Sequence, residues 1–215
     1  MPRRFNEVLV AASTSTTNAN APQEVPRLSP DELQRHFHHC TASTLAHLLA
    51  LFVHPPASFP PPDTSLVVID SLSTLLDNAY PRNADDRASR VKNDHTRWAA
   101  GRRFAVINEL ISTLSRVAAL HDIALLVLSQ TTTRVRAGAR ALLAPAITGA
   151  EWDNGISTRL VLFRDWMPEQ GKSSSTEATR LHKARFAGLL KANGVVLADD
   201  GGVGNVVPFT VERVS

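Results

Sequence analysis

At 215 residues the chain is long enough for one domain with a sizeable core, and 43% hydrophobic with 20% charged residues is ordinary globular composition. No apolar run approaches the ~18 residues of a membrane span, Arg3 and Arg4 are not followed by the apolar region of a secretory leader, and a single cysteine, Cys40, excludes an internal disulfide framework and fits a reducing compartment. A net charge of +3 is mildly basic and compatible with nucleic acid.

Residues 7–12 (EVLVAA) read as a short buried strand, and 13–25, rich in Ser, Thr, Asn, Ala and Pro, as a loop. Ser29-Pro30-Asp31-Glu32 then predicts a helix start, with Ser29 as N-cap, Pro30 in the first turn and Glu32 closing a capping box. Residues 44–53 form a second helix. Leu45, Leu48, Leu49 and Phe52 share one of its faces, and His54-Pro55-Pro56 stops it. Prolines 55, 56, 60, 61 and 62 make the next segment a stiff connector.

Leu66-Val67-Val68-Ile69 is a β-branched run that ends in Asp70-Ser71, which predicts a buried parallel strand with its acid at the carboxyl end. A polar, charged segment at 80–92 precedes a long helix over 96–119, with Phe104, Ile107, Ile111, Leu114 and Ala118 as its buried stripe. A second buried strand over 123–128 ends in Ser129-Gln130. Residues 131–155 read as a long functional loop, and 158–163 as a third strand. A polar turn follows at 167–177, with edge strands at 180–186 and 194–197, a Gly/Asp turn at 199–205 and a last strand at 206–211. Helices alternating with apolar strands argue for an α/β fold with a mainly parallel sheet.

Strand-end polar groups are the chemical candidates, because open α/β sheets bind ligands outside the carboxyl ends of their strands. A carboxylate such as Asp70 there commonly holds Mg²⁺ directly or through water. Gln130 offers a donor and an acceptor that orient a water or sense a phosphate. Taken singly, each residue is better explained as a turn, capping or satisfied strand-end polar group.

The order of the segments says more. LVVIDS, a polar loop and long helix, ALLVLSQTTTRVR, and then ISTRLVLFRDW resemble the RecA-like recombinase superfamily, and most closely the eukaryotic recombinase paralogues of homologous-recombination repair. RLHKARFAGLL followed by GVVLADDGGV resembles that family's closing hairpin, so the likeness spans roughly residues 7–204. It implies a RecA-like sheet flanked by helices with a C-terminal antiparallel hairpin at 178–212, the parallel part covering 7–164 of a single 1–215 domain. It implies that Asp70 is the Walker B carboxylate near Mg²⁺ with Ser71 beside it, and that Gln130 couples nucleotide to DNA. Residues 80–92 and 131–155 would be the two DNA-facing loops.

The charges agree with such loops. Arg82, Arg87, Arg90, Lys92, Arg97, Arg102 and Arg103 cluster against Asp85, Asp86 and Asp94, and Arg134, Arg136 and Arg140 have no acid near them before Glu151. Phosphate contacts by these side chains would give salt-sensitive, sequence-independent binding to single-stranded DNA. Trp98, Trp152 and Trp166 are the aromatic candidates for base stacking, and Trp152 in the second loop is the better one. Trp98 is expected to pack on the long helix.

The departures from the family bear on catalysis. A P-loop needs G-x-x-x-x-G-K-[ST], and these residues contain none: Gly171-Lys172-Ser173 has Trp166 where the first glycine belongs. The strand at 7–12 runs into Ala12-Ser13 rather than a water-activating Glu. The implied P-loop strand would sit beside the strand ending at Gln130. A longer version of the chain, a partner, or the third strand would have to fill that place, and the first is the expectation here. ATP and Mg²⁺ are then cofactors only where an upstream P-loop exists. The implied partners are single-stranded DNA and other recombinase paralogues or the recombinase filament in a hetero-oligomer, and the implied location is the nucleus.

His36, His38, His39 and Cys40 lack the second ligand pair of a zinc site, and no G-x-S-x-G hydrolase elbow is present. The function expected is therefore support of homologous recombination without ATP hydrolysis by these residues. The alternatives are an ATP-dependent recombinase whose P-loop lies upstream of Met1, and a metabolic α/β enzyme.

Overall fold

The computed structural model describes residues 29–81, 94–135, 141–168, 181–197 and 205–211. The chain divides into two compact units, one of residues 1–41 with 210–215 and one of residues 42–209. In the first, helix α1 (Pro30–Arg35) opens with the expected capping box. Glu32 N–H donates to Ser29 Oγ at 3.2 Å and Ser29 N–H donates to Glu32 Oε2 at 2.7 Å. The strand expected at 7–12 lies outside the described residues.

The second unit begins with α2 (Leu45–Val53), whose first turn is capped by Thr44 Oγ1 accepting from His47 N–H at 3.2 Å. Phe52 meets Phe59 edge-to-face at 5.3 Å, which fastens the proline connector to the core. Strand β1 (Leu66–Ile69), α3 (Leu72–Ala79) and α4 (Asp94–His121) then lead to β2 (Ala124–Val127). β2 lies parallel to β1 with Leu66 opposite Ala124 and Ile69 opposite Val127. A parallel neighbour needs a crossover of this kind.

Helix α3 was not foreseen. Leu72 and Leu76 are fully buried, at the i, i+4 spacing of one helix face. With Leu45, Leu48 and Phe52 of α2, Ile69 of β1, and Ile107, Leu110, Ile111, Leu114 and Val117 of α4 they form one apolar core. The expected stripe of α4 is correct at Ile107, Ile111 and Leu114, but Phe104 is exposed.

After β2 the chain makes a hairpin of β3 (Thr131–Val135) and β4 (Ala141–Pro145), then the short helix α5 (Ala150–Gly155). The long loop expected over 131–155 is therefore corrected. Its Thr and Ala residues pair as a ladder, and Ala146 N–H closes it on Gln130 C=O at 3.0 Å. A β-carbon on Gly155 would overlap the Ile111 side chain, so only glycine lets α5 lie this close to α4.

The last part is antiparallel. β5 (Arg159–Pro168) pairs along its length with β6 (Leu181–Ala192), whose other edge carries β7 (Val195–Val196) and β8 (Val206–Phe209). Asn193 (φ 48°) and Gly194 (φ 82°) make the two-residue turn from β6 to β7, the pattern of a primed hairpin turn. The fold is mixed α/β, and the expectation of a mainly parallel sheet is corrected: β1 and β2 alone are parallel among the described strands. The third strand does not extend them. It joins the C-terminal sheet, and the two short edge strands expected there are one long central strand and a two-residue one.

Candidate nucleotide and nucleic-acid site

β1 and β2 run in register, so their carboxyl ends present Asp70-Ser71 and Ser129-Gln130 at one end of the pair. Leu128 N–H donates to Ile69 C=O at 2.9 Å, and Leu72 N–H to Leu128 C=O at 3.1 Å, which carries the ladder past both strand ends. Asp70 and Gln130 are exposed there.

The backbone of Gln130 is tied twice. Its N–H donates to Ser73 Oγ at 2.9 Å, and Ser73 is fully buried in the first turn of α3. Its C=O accepts from Ala146 at the end of β4. The strand end is thus linked to the helix that follows Asp70 and to the hairpin that carries Arg134. Ser71 Oγ lies 2.9 Å from Thr74 Oγ1 and 3.3 Å from Ser73 Oγ, so the hydroxyls that follow Asp70 in sequence lie against one another.

Asp70 is a single exposed strand-end carboxylate, and a Mg²⁺ held by one carboxylate takes its other ligands from water and phosphate. Nothing in these residues wraps the phosphates, since the sequence holds no P-loop. One carboxylate does not make a cation site or a triphosphate cradle by itself, and no step through ATP follows from it. No group of three or more His, Cys, Asp or Glu that could hold a metal ion occurs among the described residues, and His36, His38, His39 and Cys40 are exposed.

The candidate DNA residues divide. Arg82, Arg87, Arg90, Lys92, Arg136 and Arg140 lie outside the described residues, and of Arg134 the backbone alone is described, in β3. Arg103 is built into the fold: its Nη2 pairs with Asp77 Oδ1 at 3.1 Å and reaches Ala146 C=O at 3.5 Å. Trp152 is corrected outright. At 3% exposure it is a core residue of α5 and has no free face for a base. Trp98, expected to pack, is instead 63% exposed on α4 with the Arg102 guanidinium 4.6 Å from its ring.

Trp166, the stacking candidate that sequence reasoning ranks behind Trp152, is 56% exposed on β5 with Lys183 Nζ 5.2 Å from its ring. The alternation Leu160, Leu162, Arg164, Trp166 puts all four on one face of that strand. Sequence reasoning missed Asp153 of α5. Its Oδ1 pairs with Arg159 Nη2 at 2.6 Å, and its C=O accepts from Lys191 Nζ at 2.6 Å, which binds α5 to the C-terminal sheet. A separate open groove of about 670 Å³ between α4 and α5 is lined by Asn108, Glu109, Ser112 and Glu151 among others, and by none of the candidate residues.

Neither a search of protein-family models nor one of curated proteins finds a match to this chain.

Proposed function

We propose that this chain is a recombination and repair protein of the RecA-like recombinase type, a paralogue that supports homologous recombination by binding single-stranded DNA and a protein partner without hydrolysing ATP through these residues. The observation that carries the reading is the double tie of Gln130. It joins the end that holds Asp70 to the arginine-bearing β3–β4 hairpin through Ser73 and Ala146. Such a link lets the occupant of the strand ends and the occupant of the hairpin influence one another.

A partner is supported by the outer face of β1–β2. Leu66, Val68 and Leu126 are 51%, 50% and 48% exposed, whereas Val67, Leu125 and Val127 pack on the core. Parallel strands are ordinarily covered on both faces, so the reading gives this face a recombinase paralogue or filament subunit as cover, in the nucleus. The exposed Asp70 favours a second reading, an ATP-dependent recombinase whose phosphate cradle lies in a longer form of the chain.

The test is binding of a labelled single-stranded oligonucleotide across a salt series. The reading expects tight binding at low salt that weakens as salt rises. Changing Arg134, Arg136 and Arg140 together to Gln should weaken it for every DNA sequence and flatten the salt slope by about 2, at ~0.7 per lost phosphate contact on a single strand. A wild-type chain that binds no single strand would favour a metabolic α/β enzyme. Undiminished affinity in the triple variant would remove the hairpin from the site.

A further inference from the structure

The C-terminal sheet has one face whose composition the fold itself does not require. Residues opposite one another in an antiparallel ladder project to the same side. The register sets Arg164 opposite Arg185 and Trp166 opposite Lys183, and on the far edge Phe209 lies opposite Arg185. Like charges directly across a ladder destabilise it, yet Arg164 and Arg185 are both exposed, and no carboxylate among the described residues pairs with either. The intervening acid, Asp165, alternates to the other face, where Ala184 is its partner across the ladder. The same surface holds an indole that is 56% exposed and, one step along, Leu162 at 66%.

We infer that this face of β5, β6 and β8 is a second single-stranded nucleic-acid contact, with Trp166 stacking a base and Arg164, Arg185 and Lys183 on phosphates. The inference rests on the nucleic-acid reading above and adds to it a surface separate from the strand ends and the β3–β4 hairpin. Three cations that no acid among the described residues opposes supply the electrostatic attraction, and they explain why an unfavourable arginine pair is kept. A flat sheet bearing an accessible aromatic is a platform on which unpaired bases stack whatever their sequence. An acidic peptide would use the charges alone and leave the exposed Trp166 without a role.

Binding of a dye-labelled oligothymidylate to the full chain, followed by anisotropy across a salt series, tests this. Trp166→Ala should weaken binding roughly 5- to 150-fold at every salt concentration, the loss of one base–aromatic stack. Trp166→Phe, which keeps an aromatic face, should restore most of it. The pair Arg164→Gln with Arg185→Gln should lower the salt slope by about 1.4, since each phosphate contact contributes ~0.7. All these side chains are exposed, and an unchanged urea midpoint for each variant shows that folding is intact.

If wild type binds and these variants match it in affinity and slope, the inference falls, while a loss confined to the Arg134, Arg136 and Arg140 variant leaves the proposed function standing. If polyglutamate displaces the oligonucleotide as well as unlabelled oligothymidylate does and Trp166→Ala has no effect, the face is an acidic-peptide surface and the inference is again overturned. A wild-type chain that binds no single strand overturns both.

Discussion

The helical half of the second unit and its C-terminal sheet are built to different rules. Around β1 and β2, three helices converge so that Leu72, Leu76 and Leu110 have no exposed surface at all. In the β5–β6–β8 sheet, apolar residues of the same kind stand in solvent: Leu160, Leu162 and Val207 are 63%, 66% and 61% exposed. Hydrophobic composition is similar in the two regions, and what differs is whether another layer covers it. Stability should therefore reside in the first region, and capacity for contact in the second and on the uncovered face of β1–β2.

The sharpest way to break this contrast is to truncate one leucine in each. Leu110→Ala should cost about 2–5 kcal/mol, transfer plus cavity, whereas Leu162→Ala should change stability by no more than ~0.5 kcal/mol. Urea unfolding of both variants measures it, and equal losses would mean that the Leu162 face of the sheet is covered after all. Next in size is the close approach of α5 to α4. Gly155→Ala puts a methyl group into Ile111, an overpacking expected to cost about 1–3 kcal/mol, which a fall in thermal midpoint would register.

Ser73→Ala probes the joint between the strand ends. It leaves the Gln130 N–H without its acceptor, at an expected cost of about 1–3 kcal/mol if water does not replace the hydroxyl. It should also weaken any coupling between the strand ends and the hairpin. Amide exchange at Gln130 that stays as slow as in wild type would show that the bond contributes little.

The smallest effect belongs to α1. The Ser29 backbone N–H, then its hydroxyl, and more weakly the nearby His36, hold the Glu32 carboxyl below its ordinary value near 4.5. A carboxyl depressed in the folded state stabilises above its unfolded value and loses that contribution as pH falls through the folded one. Helix α1 should therefore fray from about pH 4.5 downward. An NMR titration of the Ser29 amide should follow Glu32 protonation, and Glu32→Gln should abolish that transition.

What was legible in the sequence was local. The capping box at Ser29, the Thr44 helix and the β-branched run ending in Asp70 each declare themselves within a few residues, by chemistry that acts over one turn or one strand. Strand direction does not. Residues 159–163 have the same apolar pattern whether their neighbour is parallel or antiparallel, so the expectation that they extend a parallel sheet rested on the alternation of helices and strands and on resemblance, neither of which fixes a strand's partner. The β3–β4 hairpin was hidden because Thr, Arg, Ala and Gly carry little alternation, and Trp152 was misplaced with it. Helix α3 is two turns long and its apolar residues are three leucines in five positions, too short a pattern to separate from a loop. The strand-end candidates were legible as a pair. What tied them, a serine hydroxyl 57 positions away in sequence from Gln130, was not.

Hydrogen–deuterium exchange of the full chain with and without oligothymidylate tests the central claim most directly. The account predicts slowed exchange in residues 131–135, 141–145 and 183–186, with the core segment 107–117 of α4 unchanged. No change in either strand region, or slowing confined to the core of α4, would contradict it.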